Sequence, residues 1–150
     1  MPAFRRPESI LVVVHARDGR VLLLERVTPP RFWQSVTGSL EEDETPLEAA
    51  RRELAEETGL VAAERLVDLD LNQRFPIARA WRHRFAPGVT ENLEHSFALE
   101  VPEAFTPVLN PAEHRRHLWL PAREALARAS SWSNRNALAR VFIDPGAPRP

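Results

Sequence analysis

Residues 45–60 read TPLEAARRELAEETGL and carry their own start and stop signals for a helix. Thr45 suits an N-cap, Pro46 the first turn, and Glu48 stands three residues after Thr45, where it completes a capping box. Gly59 follows the last periodic residue and supplies the stop. The spacing predicts a helix over 46–58 whose core stripe is Leu47, Ala50 and Leu54, with Arg51 and Arg52 off that stripe. Any fold open to this chain must lay that stripe on another apolar surface. The same helix puts Glu53, Glu56 and Glu57 at i, i+3 and i+4, so three carboxylates share one face beside the negative end of the helix dipole. Like charges so spaced cost about 0.2–0.5 kcal/mol per pair. The arrangement reads either as a solvated acidic face relieved by Arg51 and Arg52, or as a cation site.

The segments around the helix supply strands. Residues 9–27, SILVVVHARDGRVLLLERV, hold two β-branched and leucine-rich runs separated by Asp18-Gly19, a hairpin of two buried strands. Pro29-Pro30 ends the second run, and a short strand is expected over 35–37 before Gly38. RLVDLDLNQRF and HSFALEV alternate as strands do, and HRRHLWL is a shorter third candidate. PAREALARA and NRNALARVFI read as helices, starting at Pro121 and at Ser133 or Asn134. The order implies a mixed α/β domain, and at 150 residues the chain is expected to form one. The tail DPGAPRP, residues 144–150, is expected to be disordered. The longest early apolar run, Ile10 to Val14, is too short for a signal-peptide core or a membrane span, so a soluble, cytoplasmic protein is expected.

Composition narrows the chemistry. The formal net charge of −1 gives no basic footprint for a nucleic-acid backbone. There is no Cys, which removes disulfides, thiolate nucleophiles and thiolate zinc sites together. All basic residues are Arg, which excludes Schiff-base lysines and the P-loop lysine. What remains is carboxylate and histidine chemistry. Clustered carboxylate oxygens are hard ligands suited to Mg²⁺ or Mn²⁺, ions that keep several waters and share themselves with substrate phosphates. An ion so held activates a coordinated water for hydrolysis of a phosphoanhydride.

The wider spacing decides between the two readings. From Gly38 the chain runs five residues to Glu44, then seven residues to Arg52-Glu53-Leu54-Ala55-Glu56-Glu57-Thr58-Gly59-Leu60. This resembles the complete signature of the Nudix hydrolases. The resemblance implies a Nudix fold, an α/β/α sandwich with a mixed sheet whose loop–helix–loop at about 38–60 carries the metal site. It also implies metal coordination by Glu53, Glu56 and Glu57, with Arg52 orienting the carboxylates. Gly38 then permits a tight loop beside the helix, and Glu44 supports that loop or the metal shell. These roles suit the residue types, since an Arg fork holds a carboxylate and only Gly allows so close a backbone approach.

Segments outside the signature, RPESILVVVHA, FWQSVTGSLEEDET, RHRFAPGVTENLEHSF and SSWSNRNA, resemble the members of that family that cleave a pterin triphosphate in folate synthesis. That likeness implies a small-molecule triphosphate substrate contacted by Arg5, Arg26, Thr37, Phe75, Ile77 and Ser131, with no nucleic-acid or membrane partner. It further implies that Glu113 joins the metal site from outside the helix and serves as general base, with the adjacent His114 as rival. Trp33, Trp81 and Trp132 are candidates to stack on a flat heterocycle, and His83 is expected to be structural or exposed. The alternatives are a broader nucleoside triphosphate diphosphatase and, from a different class, a nucleotide-sensing module without hydrolysis.

Overall fold

The computed structural model describes residues 4–61 and 63–143, with Ala63 described by its backbone alone. The tail at 144–150 lies outside the described residues. Strands β1 (Glu8–Ala16) and β2 (Arg20–Arg26) form the predicted hairpin, paired at His15↔Val21 beside the turn. The two then part. Strand β1 takes β4 (Val36–Ser39) as antiparallel neighbour and β6 (Glu91–Val101) as parallel neighbour along its whole length. Strand β2 instead keeps the two-residue β3 (Trp33–Gln34) and β7 (His114–Pro121). Strand β5 (Val67–Pro76) closes the far side against β6, with an irregularity between Asp68 and Leu71. The result is a mixed sheet that divides between β4 and β7.

Alternation along β1 explains the layering. Ile10, Val12 and Val14 face one side with Leu22, Leu24, Val36, Phe97 and Leu99, where α1 (Pro46–Thr58) contributes Ala49, Ala50 and Leu54. Leu11 and Val13 face the other side, under α2 (Ala122–Arg128) and α3 (Trp132–Phe142), with Ala125, Ala137 and Leu138. Helix α1 has the predicted bounds. The Thr45 hydroxyl accepts from the Glu48 N–H, the Glu48 carboxylate accepts from the Thr45 N–H at 2.8 Å, and Gly59 takes φ 85° as the C-cap.

Three expectations need correction. Leu47 is 38% exposed and does not belong to the stripe, because the helix turns Ala49 inward instead. Helix α3 starts earlier than predicted: Ser131 is its N-cap, accepting from the Asn134 N–H at 3.1 Å, so Ser133 and Asn134 lie inside the first turn and are buried. The strand expected over 95–101 begins at Glu91, and a 3₁₀ segment at Arg79–Arg84 was not anticipated. Among the described residues, no helix is long and apolar enough to cross a membrane.

Candidate active site

The site lies where α1 meets the division of the sheet. Strand β4 runs beneath the helix and presents Gly38 to Glu53. A Cβ built at Gly38 would overlap the Glu53 carboxyl group, so only glycine permits this approach. Arg52 fixes the remaining geometry. Its Nε and Nη2 grip the two oxygens of Glu44 at 2.8 and 2.9 Å, and Nη2 also donates to the Ser39 carbonyl at 2.9 Å. Its Nη1 donates to Glu53 at 2.6 Å and to Glu56 at 3.1 Å. One planar fork therefore ties loop, strand and helix together. Glu44 also accepts the Glu41 N–H at 2.8 Å, which assigns it to the loop. Its pKa is held down first by Arg52.

Arg6 belongs to this frame and sequence reasoning passed it over. It donates to the Glu41 and Glu44 carbonyls at 2.9 Å each and to Glu8 at 2.7 Å, while Glu8 also contacts His95 at 2.9 Å. No periodicity or spacing marks such a contact, which spans some thirty-five positions.

Glu57 is the buried member of the carboxylate set, at 1% exposure. It is hydrogen-bonded to Glu53 and to the Thr37 N–H, and among the described residues its Oε1 has no hydrogen-bond partner. Burial raises the pKa of both carboxyls. For Glu57 the hydrogen bond to Glu53 and the charges of Glu53 and Glu113 raise it further, well above the usual carboxylate range. Two adjacent carboxyls, that of Glu57 buried, thus favour the protonated form where a hard cation would relieve them, and one oxygen of Glu57 is open. That donor set fits a divalent ion. Among the described residues no three His, Asp or Glu side chains already stand close enough to enclose one. Glu56, more exposed, is turned toward Arg52, and Glu113 is exposed just before β7, its charge felt by Glu57.

His114 faces the site from β7, inward where Glu113 faces outward. Its Nε2 lies 4.0 Å from Glu57 Oε1 and 3.2 Å from Gln34 Nε2. An amide nitrogen can only donate, so the imidazole accepts at Nε2 and carries its proton on Nδ1. Burial and then the Arg26 charge lower the His114 pKa to about 4, and the ring is neutral at ordinary pH. The pair with Glu57 is therefore not an ion pair. His114 is a poor base here, and Gln34, absent from the sequence reading, is its partner.

The predicted substrate-contacting residues separate into two groups. Arg26, at the end of β2, donates to the Thr28 carbonyl at 2.8 Å and lies over Trp81, whose ring also carries Arg84. Arg5 joins that corner through its N–H to the Arg84 carbonyl at 2.8 Å. Thr37, Phe75 and Ser131 lie toward the α3 side, Thr37 opposite Leu11 on β1 and Phe75 opposite Asn92 on β6. Ile77, two positions beyond Phe75, is buried. Trp33 is a core residue at 4% exposure and is withdrawn from stacking, whereas Trp81 and Trp132 are exposed. His83 is exposed, with Nδ1 at 3.0 Å from the Ala80 carbonyl.

Comparison with known proteins identifies the family. A family model of the NUDIX domain matches residues 5–141. The chain is 47% identical over 145 residues to the dihydroneopterin triphosphate diphosphatase of Escherichia coli, covering 94% of this chain and 95% of that one. It is 40% identical over 148 residues to the Haemophilus influenzae protein of the same name, covering 96% and 92%. The solved structure of the E. coli dihydroneopterin triphosphate pyrophosphohydrolase superposes with a TM-score of 0.85 at 44% identity, covering 95% of this chain and 99% of that one. With the signature glycine against Glu53, the arginine fork on its carboxylates and near full-length relatives, this chain belongs to the Nudix hydrolase family.

Proposed function

We propose that this protein hydrolyses 7,8-dihydroneopterin triphosphate to dihydroneopterin monophosphate and pyrophosphate, a step of folate synthesis, on the substrate for which its E. coli and H. influenzae relatives are named. The observation that carries the reaction type is the buried Glu57 carboxyl, bonded to Glu53 and left with one open oxygen at the division of the sheet. The choice of pterin rests on relatives that match nearly the whole chain rather than the signature alone. Glu53, Glu56, Glu57 and Glu113 would hold Mg²⁺, with Mn²⁺ as a substitute; when bound, the ion supplies charge neutralisation for the phosphates and acidity for water. Arg52 keeps the carboxylates oriented, and Gly38 leaves them room. Glu113 would accept the proton of the attacking water, a reading supported by the influence of its charge on Glu57. Arg5 and Arg26, gathered with Arg84 at the Trp81 corner, offer guanidinium donors to the departing pyrophosphate.

The test is a comparison of kcat/KM for dihydroneopterin triphosphate against a panel of dNTPs with Mg²⁺. A clear preference for the pterin substrate is expected. Equal or better use of the dNTPs would replace this reading with that of a broader nucleoside triphosphate diphosphatase. Hydrolysis in ¹⁸O-labelled water locates the phosphorus attacked.

A further inference from the structure

On the sheet face turned away from α1, the side chains near the N-terminus of β1 are polar where the rest of that face is apolar. Residues directly opposite one another share a face, so Glu94 on β6 stands in a row with Gln73 on β5, Ser9 on β1 and, one strand further, Ser39 on β4. The next rows hold Asn92 opposite Phe75, and Ser96 in line with Leu11 and Thr37. The N-terminal turn of α3 covers this floor. Nearly every polar group in the joint is matched: Asn134 bonds the Ser35 N–H at 2.7 Å and its hydroxyl at 3.0 Å, and Gln73 donates to the Ser133 carbonyl at 3.0 Å. Asn136 donates to Gln73 at 2.8 Å, and Asn92 donates to the Ser9 hydroxyl at 2.7 Å.

Two atoms break the pattern and they are neighbours. Among the described residues Glu94, at 4% exposure, leaves Oε1 without a hydrogen-bond partner, and Ser96, two positions along on the same face, leaves its hydroxyl without one. Only the Ser133 hydroxyl helps to hold the Glu94 carboxyl in its ionised form. A buried carboxylate with an open oxygen is costly and unusual, and Glu94 has no part in the metal site on the opposite side of the sheet. Half-buried Ser9, Thr37 and Ser39 border it, two strand spacings or about 10 Å from Glu94 to Ser39. That border leads to the Thr37 N–H that holds Glu57.

We propose that Glu94 is the specificity-determining residue of this enzyme, its carboxylate receiving the paired N–H donors of a 2-amino-4-oxopyrimidine ring. Such a ring presents a ring N–H beside an exocyclic NH₂, two parallel donors that match the two oxygens of one carboxylate. Phe75, half-buried opposite Asn92, offers an aromatic face for the ring plane, and Ser96 a hydroxyl for its edge. Pterins and guanine share this edge; thymine and adenine lack it. The inference rests on the proposed function for the location of the triphosphate, and it adds which ring the α3 side admits.

The experiment compares wild type with Glu94→Gln on dihydroneopterin triphosphate, dGTP and dTTP. The ratio of kcat/KM for each ring-edge substrate to that for dTTP is expected to fall about 10–100-fold in the variant, through KM. An unchanged ratio, or a parallel loss on all three substrates, would overturn the inference. Wild-type preference for dGTP over the pterin would instead overturn the substrate assignment and leave Glu94 in its role. Binding of unphosphorylated 7,8-dihydroneopterin to wild type, followed by its fluorescence, decides the matter even if the variant does not fold. Guanosine is expected to compete and thymidine not; equal competition or none by either rejects the assignment of Glu94.

Discussion

At Glu57 the proposed catalytic role and the role in stability separate. Its carboxyl is buried, its pKa raised by burial and by Glu53, and one oxygen is open, so in the absence of a cation it does not serve the core. Glu57→Gln is therefore expected to lower Mg²⁺-dependent turnover at least about 100-fold. Its urea midpoint in chelator should match or exceed that of wild type; near-normal activity would remove Glu57 from the site. Gly38→Ala tests the neighbouring contact. The atoms it would strike are the end of a side chain, which can swing away, but Arg52 pins that side chain. The expected result is little change in thermal midpoint and about a 10–100-fold loss of activity, as for other groups that orient metal ligands. Gly38, Glu44, Arg52, Glu53 and Glu57 could be singled out because they match the family signature, whose members stand on one loop and one helix. Gln34, Arg6 and Glu94 could not, because each acquires its meaning from strands far apart in the chain.

Helix α1 shows the same distinction at the level of an element. Its ends follow local chemistry, and the capping box and Gly59 place them where the sequence predicts. Which face it buries depends on what it lies against. Leu47 and Leu54 are alike in hydropathy and both fit the apolar period, yet Leu54 is fully buried and Leu47 is 38% exposed. Leu54→Ala is accordingly expected to cost about 2–5 kcal/mol, and Leu47→Ala no more than about 0.5 kcal/mol, measured by urea unfolding. Equal losses would restore Leu47 to the core. The expected start of α3 at Ser133 or Asn134 is displaced to Ser131 for a related reason. Four short polar side chains crowd the segment, and the first, Ser130, accepts from the Trp33 N–H at 2.9 Å. Ser133 and Asn134 are taken up by the sheet, Asn134 bonding Ser35 across 99 positions and Ser133 accepting from Gln73 through its carbonyl. Ser131 is left to cap.

At the scale of the whole molecule, two buried groups on different strands set opposing responses of stability to pH. Burial pushes the Glu94 carboxyl up to about 7 from its ordinary 4.5, and burial pushes the His114 imidazole down to about 4 from 6.5. For Glu94 the unfolded chain ionises first as pH rises, so the native state holds more protons between about 4.5 and 7 and stability is lost across that window. For His114 the unfolded chain takes up a proton first as pH falls, so stability is lost from about 6.5 downward toward 4. The two slopes oppose each other over nearly the same range. Glu94→Gln removes one of them. Relative to wild type in chelator, the unfolding free energy of this variant is expected to climb with pH. The climb is largest between 4.5 and 7 and approaches about 3 kcal/mol at its upper end. Any cost or gain of placing an amide there shifts the whole curve without changing its slope, so the slope alone is diagnostic. A difference that stays constant from pH 4 to 8 would mean that the Glu94 carboxyl already has a partner for its open oxygen in the folded chain, and the ring edge would have nothing to replace.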